Sequence, residues 1–286
     1  GIAVPSTAAR ERMSYTGYER LRVDVADGVA EVVLARGKKL NVMDDLFFTE
    51  VGRAFRALDV DDNVNVVLLW AEGRMFTAGL DLKAAAGIGT REGGSEAECN
   101  LIFFKKLRQW QEDFNDVRKC KKPVIAAVHG HCIGGGVDLI TCADVRICSK
   151  EATFSIREAK IGIVADLGTL QRIERIVGPG IAREMAYTAD FVGSDRALTC
   201  GLVNSVQTDK DAMLAAGRKL AKDMASNSPL VVQGCKKVLD YAAEHSHDDS
   251  LMQIALWNTA FLRSDDLTEA VMAHMQKRTP KFRNRL

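Results

Sequence analysis

Polar and apolar positions alternate through Leu21-Arg-Val-Asp-Val25, and an apolar-rich run returns from Val29 to Leu34 after Asp27-Gly28. This pattern predicts a β-hairpin closed by a type I′ turn. Asp44 and Asp45 then stand where a helix cap is expected, ahead of Phe47, Val51, Phe55 and Leu58 on one helical face. Val64 to Trp70 is continuously apolar and rich in β-branched residues, as a buried strand is. Residues 84–95 are small and Gly-rich, which predicts a mobile loop. Phe103, Leu107, Trp110, Phe114 and Val117 step by three and four and predict a long helix. Further strands are expected at Val124–Val128, Val145–Cys148 and Ala152–Phe154. A helix through Leu170, Ile173, Ile176 and Val177 should stop at Gly178-Pro179.

From residue 209 onward the pattern is helical, broken at Ser226–Pro229 and His245–Asp248. The chain therefore divides into an N-terminal arm (1–18), an α/β core (19–207) and a helical region (208–286). Met252, Leu256, Trp257, Phe261, Met272 and Met275 in that last region read as core and subunit interface, predicting a homo-oligomer.

Composition narrows the class. The 286 residues carry 39 Lys+Arg and 38 Asp+Glu, a balance that argues against a nucleic-acid binder. No apolar stretch is long enough to span a membrane. The seven cysteines are scattered, with no CxxC or Cys/His spacing, so they read as reduced thiols and not as a disulfide framework or a metal site. A soluble intracellular enzyme is the leading expectation.

The densest chemical signal lies between Ala78 and Asp166. The apolar run Val124–Val128 leads through His129-Gly-His-Cys-Ile133 into Gly134-Gly-Gly-Val-Asp138. Glycines at a helix start permit close backbone approach, and unpaired N–H groups there attract negative charge. A second turn, Phe76-Thr-Ala-Gly-Leu-Asp81, can supply another N–H, so that two loops build one oxyanion pocket. Tight turn packing alone accounts for the same glycines. Three carboxylates sit among these segments: Asp138, Glu158 and Asp166. In apolar surroundings such groups hold protons near neutral pH. Structural roles are equally open: Asp166 as a helix cap, Glu158 paired with Arg157 or Lys160, and Asp138 as a buried hydrogen-bonded acid. His129 and His131 flank the glycine turn, and the alternation there assigns them structural roles.

Three segments carry a resemblance to a known family: Phe76-Thr-Ala-Gly-Leu-Asp-Leu82, the stretch Lys122–Asp138, and Ser264-Asp-Asp-Leu-Thr-Glu269 with Lys277-Arg-Thr-Pro-Lys-Phe282. Over residues 20–282 the chain resembles the crotonases, the enoyl-CoA hydratases and isomerases. The resemblance implies an α/β, crotonase-like spiral of ββα units with a C-terminal helical trimerisation region. It also implies an acyl-CoA substrate with no further cofactor, and a homotrimer or homohexamer. The family's oxyanion donors fall on the backbone N–H groups of Leu80 and Gly135, and its substrate contacts on Ala78, Gly79, Asp81, Leu82 and Gly134. Its two catalytic glutamates fall on Asp138 and Glu158, the first shortened to aspartate, and Asp166 stands where hydratases usually carry glycine. The set Asp138, Glu158, Asp166 is similar to that of the family's Δ3,5-Δ2,4-dienoyl-CoA isomerases, in which Glu158 would handle the proton at carbon 2, Asp166 the one at carbon 6, and Asp138 would support them. Gly37-Lys-Lys-Leu-Asn-Val-Met43 departs from the family pattern by lacking the usual proline before Asn41.

The alternatives are a hydratase, a Δ3-Δ2-enoyl-CoA isomerase or a thioester hydrolase of the same family, or a non-catalytic acyl-CoA-binding scaffold. Asn284-Arg-Leu286 resembles a degenerate peroxisomal S-K-L signal, and Arg10 and Arg12 hint at a mitochondrial leader, so a peroxisome-like organelle or the mitochondrion is the expected compartment.

Overall fold

A computed structural model describes residues 15–85 and 94–282. Most of the N-terminal arm, most of the Gly-rich loop expected over 84–95, and Asn284-Arg-Leu286 lie outside the described residues. Strands β1 (Leu21–Ala26) and β2 (Val29–Leu34) pair antiparallel. Asp27 (φ 50°) and Gly28 (φ 79°) join them, with the two positive φ angles a type I′ turn requires. The Asp44 carboxylate accepts the Phe47 N–H at 3.0 Å and caps α1 (Asp45–Val60), which buries Phe47, Val51, Phe55 and Leu58 as its spacing predicts.

Next come β3 (Val66–Ala71), the short α2 (Leu82–Ala85) and α3 (Glu96–Lys119), which opens with a Ser95/Glu98 capping box. Two passes then give strand, strand and helix in turn. The first is β4 (Val124–Val128), β5 (His131–Ile133) and α4 (Gly135–Ile140); the second is β6 (Val145–Ser149), β7 (Thr153–Ser155) and α5 (Thr169–Val177). After α6 (Pro179–Thr188), β8 (Val192–Gly193) and α7 (Ser194–Thr199), β9 (Ser205–Gln207) ends the strands. The large sheet has the order β1-β2-β3-β4-β6-β9 and is parallel except at β1–β2. The small sheet is β5-β7-β8. Each pass thus adds one strand to each sheet, which winds the chain into a spiral.

Both faces of the large sheet are covered, so its central strands are apolar throughout. Val67, Leu69 and Ala71 face the larger core with α1 and α3. Val66, Leu68 and Trp70 face Met213, Leu214 and Ala221 of α8 (Lys210–Ala225). The tail continues as α9 (Pro229–Ala242), α10 (His247–Phe261) and α11 (Asp265–Met275). Here expectation and structure part. No residue of α10 is buried, and Met252, Leu256, Met272 and Met275 are exposed, so these side chains are not core of their own chain. Phe103, expected on the buried stripe of α3, is 38% exposed.

One buried side chain ties the β2–α1 connection to the segment before α2. Asn41 Nδ2 donates to the carbonyls of Glu72, Met75 and Phe76 at 2.9, 3.1 and 3.1 Å, and the backbone carbonyl of Asn41 accepts the Thr77 hydroxyl at 2.7 Å. The Ala78 N–H donates to Leu40 O, and the Met43 N–H to Gly79 O. Leu40 and Asn41 both adopt left-handed backbone (φ 54° and 49°), a conformation the asparagine tolerates better than most residues. Asn41→Ala leaves three carbonyls short of a donor and is expected to cost roughly 1–3 kcal/mol, read as a lower urea midpoint with an unchanged m-value.

Candidate active site

Two strand-end turns meet at the centre of the molecule. A parallel bridge joins Thr77 to Cys132, with the Thr77 N–H donating to His131 O at 3.0 Å and the Ile133 N–H to Thr77 O at 3.2 Å. The approach is so close that a side chain on Gly79 (φ 84°) would place its Cβ 2.8 Å from the Ile133 carbonyl. Gly134 (φ 55°) enters α4 in a left-handed conformation, and a Cβ there would meet the Glu158 carboxylate at 3.0 Å. Both glycines are therefore required by backbone geometry and by neighbours. The N–H groups of Leu80 and Gly135 find no acceptor among the described residues, and both residues line one cavity of about 350 Å³.

Ala78, Gly79, Leu82 and Gly134 line the same cavity, as do Asp138, Glu158 and Asp166. Three elements distant in sequence bring the acids together: α4 carries Asp138, the turn after β7 carries Glu158, and the approach to α5 carries Asp166. Most of the remaining wall is apolar, from Met43, Phe48, Phe103, Trp110, Ile133, Ile161 and Ile163. Asp81 is not part of that wall; its carboxylate accepts the Lys83 N–H at 3.1 Å and its N–H donates to Met43 O. His129 and His131 also lie outside it. His129 is buried with Nε2 at 2.9 Å from Gly73 O, and His131 is exposed with Nδ1 at 2.7 Å from the Thr153 hydroxyl.

The three acids have different surroundings. Asp138 is buried and accepts the Thr169 N–H at 2.6 Å. Arg172 lies close by, donating to the carbonyls of Asp138 and Leu167 at 3.0 Å each. Burial still pushes the Asp138 carboxyl up to about 6 against these contacts. Glu158 has less help: its Oε2 is buried with no hydrogen-bond partner among the described residues. Burial, then the negative charges of Asp138 and Asp166, push it up to about 7. Its neighbour Arg157 does not pair with it; it donates to Ala189 O at 2.9 Å and lies over the Phe191 ring. Asp166 is half-buried, and desolvation raises its pKa as well. It does not cap α5, whose N-cap is Gly168 without a side-chain hydrogen bond. The three titrate as a coupled set.

The arrangement places two backbone donors without an acceptor among the described residues, and three acids whose pKa values burial raises, around an apolar slot. It can stabilise an oxyanion and move protons on either side of it. Thr169, Arg172 and Gln111, whose amide donates to Asp166 O at 2.6 Å, were not singled out by sequence; their partners lie 31, 34 and 55 residues away, and no local pattern marks them.

The chain matches the enoyl-CoA hydratase/isomerase family over residues 24–285. It is 46% identical to the mitochondrial Δ3,5-Δ2,4-dienoyl-CoA isomerase of Dictyostelium discoideum, covering 98% of this chain and 96% of that protein. It is 40% identical to the peroxisomal Δ3,5-Δ2,4-dienoyl-CoA isomerase of Arabidopsis thaliana, covering 94% and 98%. Among solved structures, an enoyl-CoA hydratase from Bacillus anthracis superposes with a TM-score of 0.85 at 26% identity, covering 93% of this chain and 99% of that one.

The charge of Asp138 raises the Glu158 pKa, so removing it must lower that pKa. If Glu158 works as a base, activity rises as pH increases through its folded-state pKa. The acid limb of the rate profile is expected near pH 7, and Asp138→Asn should shift it to lower pH. A limb unmoved in that variant would show that the two carboxylates are not coupled.

Proposed function

The chain belongs to the enoyl-CoA hydratase/isomerase family, and from that membership we propose that it converts 3,5-dienoyl-CoA to 2,4-dienoyl-CoA. The observation that carries this reading is Asp166, a third carboxylate in the wall that already holds Asp138 and Glu158. Moving two conjugated double bonds one position along the chain removes a proton at carbon 2 and adds one at carbon 6. Those carbons are too far apart for one carboxylate, so two acids are needed at separate points of the slot.

Glu158, with the unsatisfied oxygen and the raised pKa, takes the carbon 2 proton. Electrons shift along the conjugated chain, leaving the thioester oxygen negative between the Leu80 and Gly135 N–H groups. Asp166 then donates to carbon 6. Asp138 touches neither carbon; it is held by Thr169 and sets the proton affinity of Glu158 through its charge. All electrons stay within the conjugated system, so the reaction as written calls for no redox cofactor. The apolar wall keeps water from adding across the double bonds.

The relatives described above include a mitochondrial and a peroxisomal enzyme, and this chain is assigned to one of those organelles, in the breakdown of unsaturated fatty acids. It assembles as a homotrimer or a pair of trimers. What supports this is α10, whose Leu251, Met252, Leu256 and Phe261 are exposed, together with Val271, Met272 and Met275 of α11. Exposed apolar side chains in this number on two tail helices mark an interface.

The substrate assignment is tested by comparing 3,5-dienoyl-CoA with 2-enoyl-CoA spectrophotometrically; faster turnover of the 2-enoyl thioester would favour hydration instead. Glu158→Gln and Asp166→Asn are each expected to lower dienoyl turnover by ~10²–10⁴-fold while acyl-CoA binding persists. Full turnover by either variant removes that residue from the mechanism. Light scattering at micromolar concentration is expected to give a trimeric or hexameric mass, and a monomeric mass would refute the assembly.

A further inference from the structure

Asp166 belongs to the walls of two cavities. Behind the acyl slot lies a polar space of about 720 Å³ between α3, α5 and α9, lined among others by Gln111, Asn115, Gln171, Arg172 and Asp240. Asp166 and Leu167 separate it from the slot; Asp138 and Glu158 line the slot alone. Burial follows the same division, with Asp138 and Glu158 1% and 8% exposed and Asp166 half-buried. The Gln111 amide, at the edge of the polar space, holds the Asp166 carbonyl at 2.6 Å and so keeps this residue in the dividing wall.

This division bears on a step that the two-acid reaction leaves open. Each turnover delivers the carbon 2 proton to Glu158 and takes the carbon 6 proton from Asp166. Glu158 ends protonated and Asp166 ionised, the reverse of what the next turnover needs. An acyl chain filling the apolar slot shuts the front route to water for both groups, whereas a polar space of this size holds water. We propose, on the functional reading above, that Asp166 exchanges its proton with solvent through the polar cavity behind it while ligand is bound. Glu158 exchanges only when the slot empties. The proton accounting closes: water supplies one proton to Asp166, and the proton leaving Glu158 after product release neutralises the hydroxide formed.

Asymmetric access predicts asymmetric isotope exchange. With enzyme in excess over 2,4-dienoyl-CoA in D2O, nearly all ligand stays bound, and reversible isomerisation samples both ends of the conjugated system. Deuterium is expected at carbon 6 faster than at carbon 2, by on the order of tenfold or more, as read by NMR of the recovered thioester. Equal rates at the two carbons overturn the inference, as does hydrogen passing from carbon 2 to carbon 6 without solvent incorporation; both outcomes leave the isomerase reading intact. Absence of any isomerisation overturns that reading, and the inference with it. Asn115→Trp places an indole in the polar cavity and narrows it without touching the slot. It should slow carbon 6 exchange severalfold while saturated acyl-CoA binds as before, and undiminished exchange in a variant that binds would overturn the route.

Discussion

Everything at the centre of this molecule depends on how closely two backbone turns approach. The Thr77–Cys132 bridge and the contact of Gly79 with the Ile133 carbonyl leave no space for a side chain between the turns. That approach is what brings Leu80 and Gly135, whose N–H groups have no acceptor among the described residues, to the wall of one cavity. Neither donor is a side chain, so no rotamer has to be ordered when charge develops on a bound oxygen. The turns are themselves held from behind, since Asn41 fixes the first through three carbonyls and the strand pairing of β5 with β7, continued by the Gly134 N–H to Ser155 O, fixes the second. Preorganisation of the oxyanion pocket is thus a property of the sheet ends and of one buried amide.

Three carboxylates within one apolar wall repel one another, and the structure relieves that repulsion unequally. Asp138 receives the Thr169 N–H and lies near the Arg172 guanidinium. Glu158 receives almost nothing and is pushed furthest up. Asp166 is half-buried and also lines the polar cavity behind the slot. These differences in environment, more than differences in residue type, set the three apart, and the proposed mechanism uses them as a held charge, a base and an acid.

Local pattern carried much of the fold. The hairpin at Asp27-Gly28, the Asp44 cap, the buried run Val64–Trp70 and the helix stop at Gly178 all follow from chemistry within a few residues, where sequence is most informative. The two glycine turns and the three acids stood out from local composition, but the exact donors, Leu80 and Gly135, and the division of labour among the acids came only through resemblance, because nothing local says that residues 80, 135, 158 and 166 converge. Their positions fell in one wall; Asp81 did not, as its carboxylate turns to the Lys83 N–H. The tail misled for a different reason. Helical periodicity reports that a face is covered, not by what, so Met252 and Leu256 read as possible core although their own chain leaves them exposed.

The acids also differ in which part of the structure holds them, and this bears on how the chemistry was built. Asp138 sits on α4 within a turn of the glycines, and its carboxylate accepts the first N–H of α5, so it ties the glycine turn to that helix. Glu158 touches the same turn from the other side, against Gly134. Asp166 is held by neither. It lies on a connecting segment, fixed through its own backbone carbonyl by Gln111 of α3, and its side chain supports no cap or ion pair among the described residues. The carboxylate to which the proposed mechanism gives the distant proton transfer is therefore the one the scaffold depends on least. A reaction confined to the carbons nearest the thioester and one that reaches carbon 6 can share the same sheets, turns and oxyanion donors, and differ by a single side chain whose backbone is already in place.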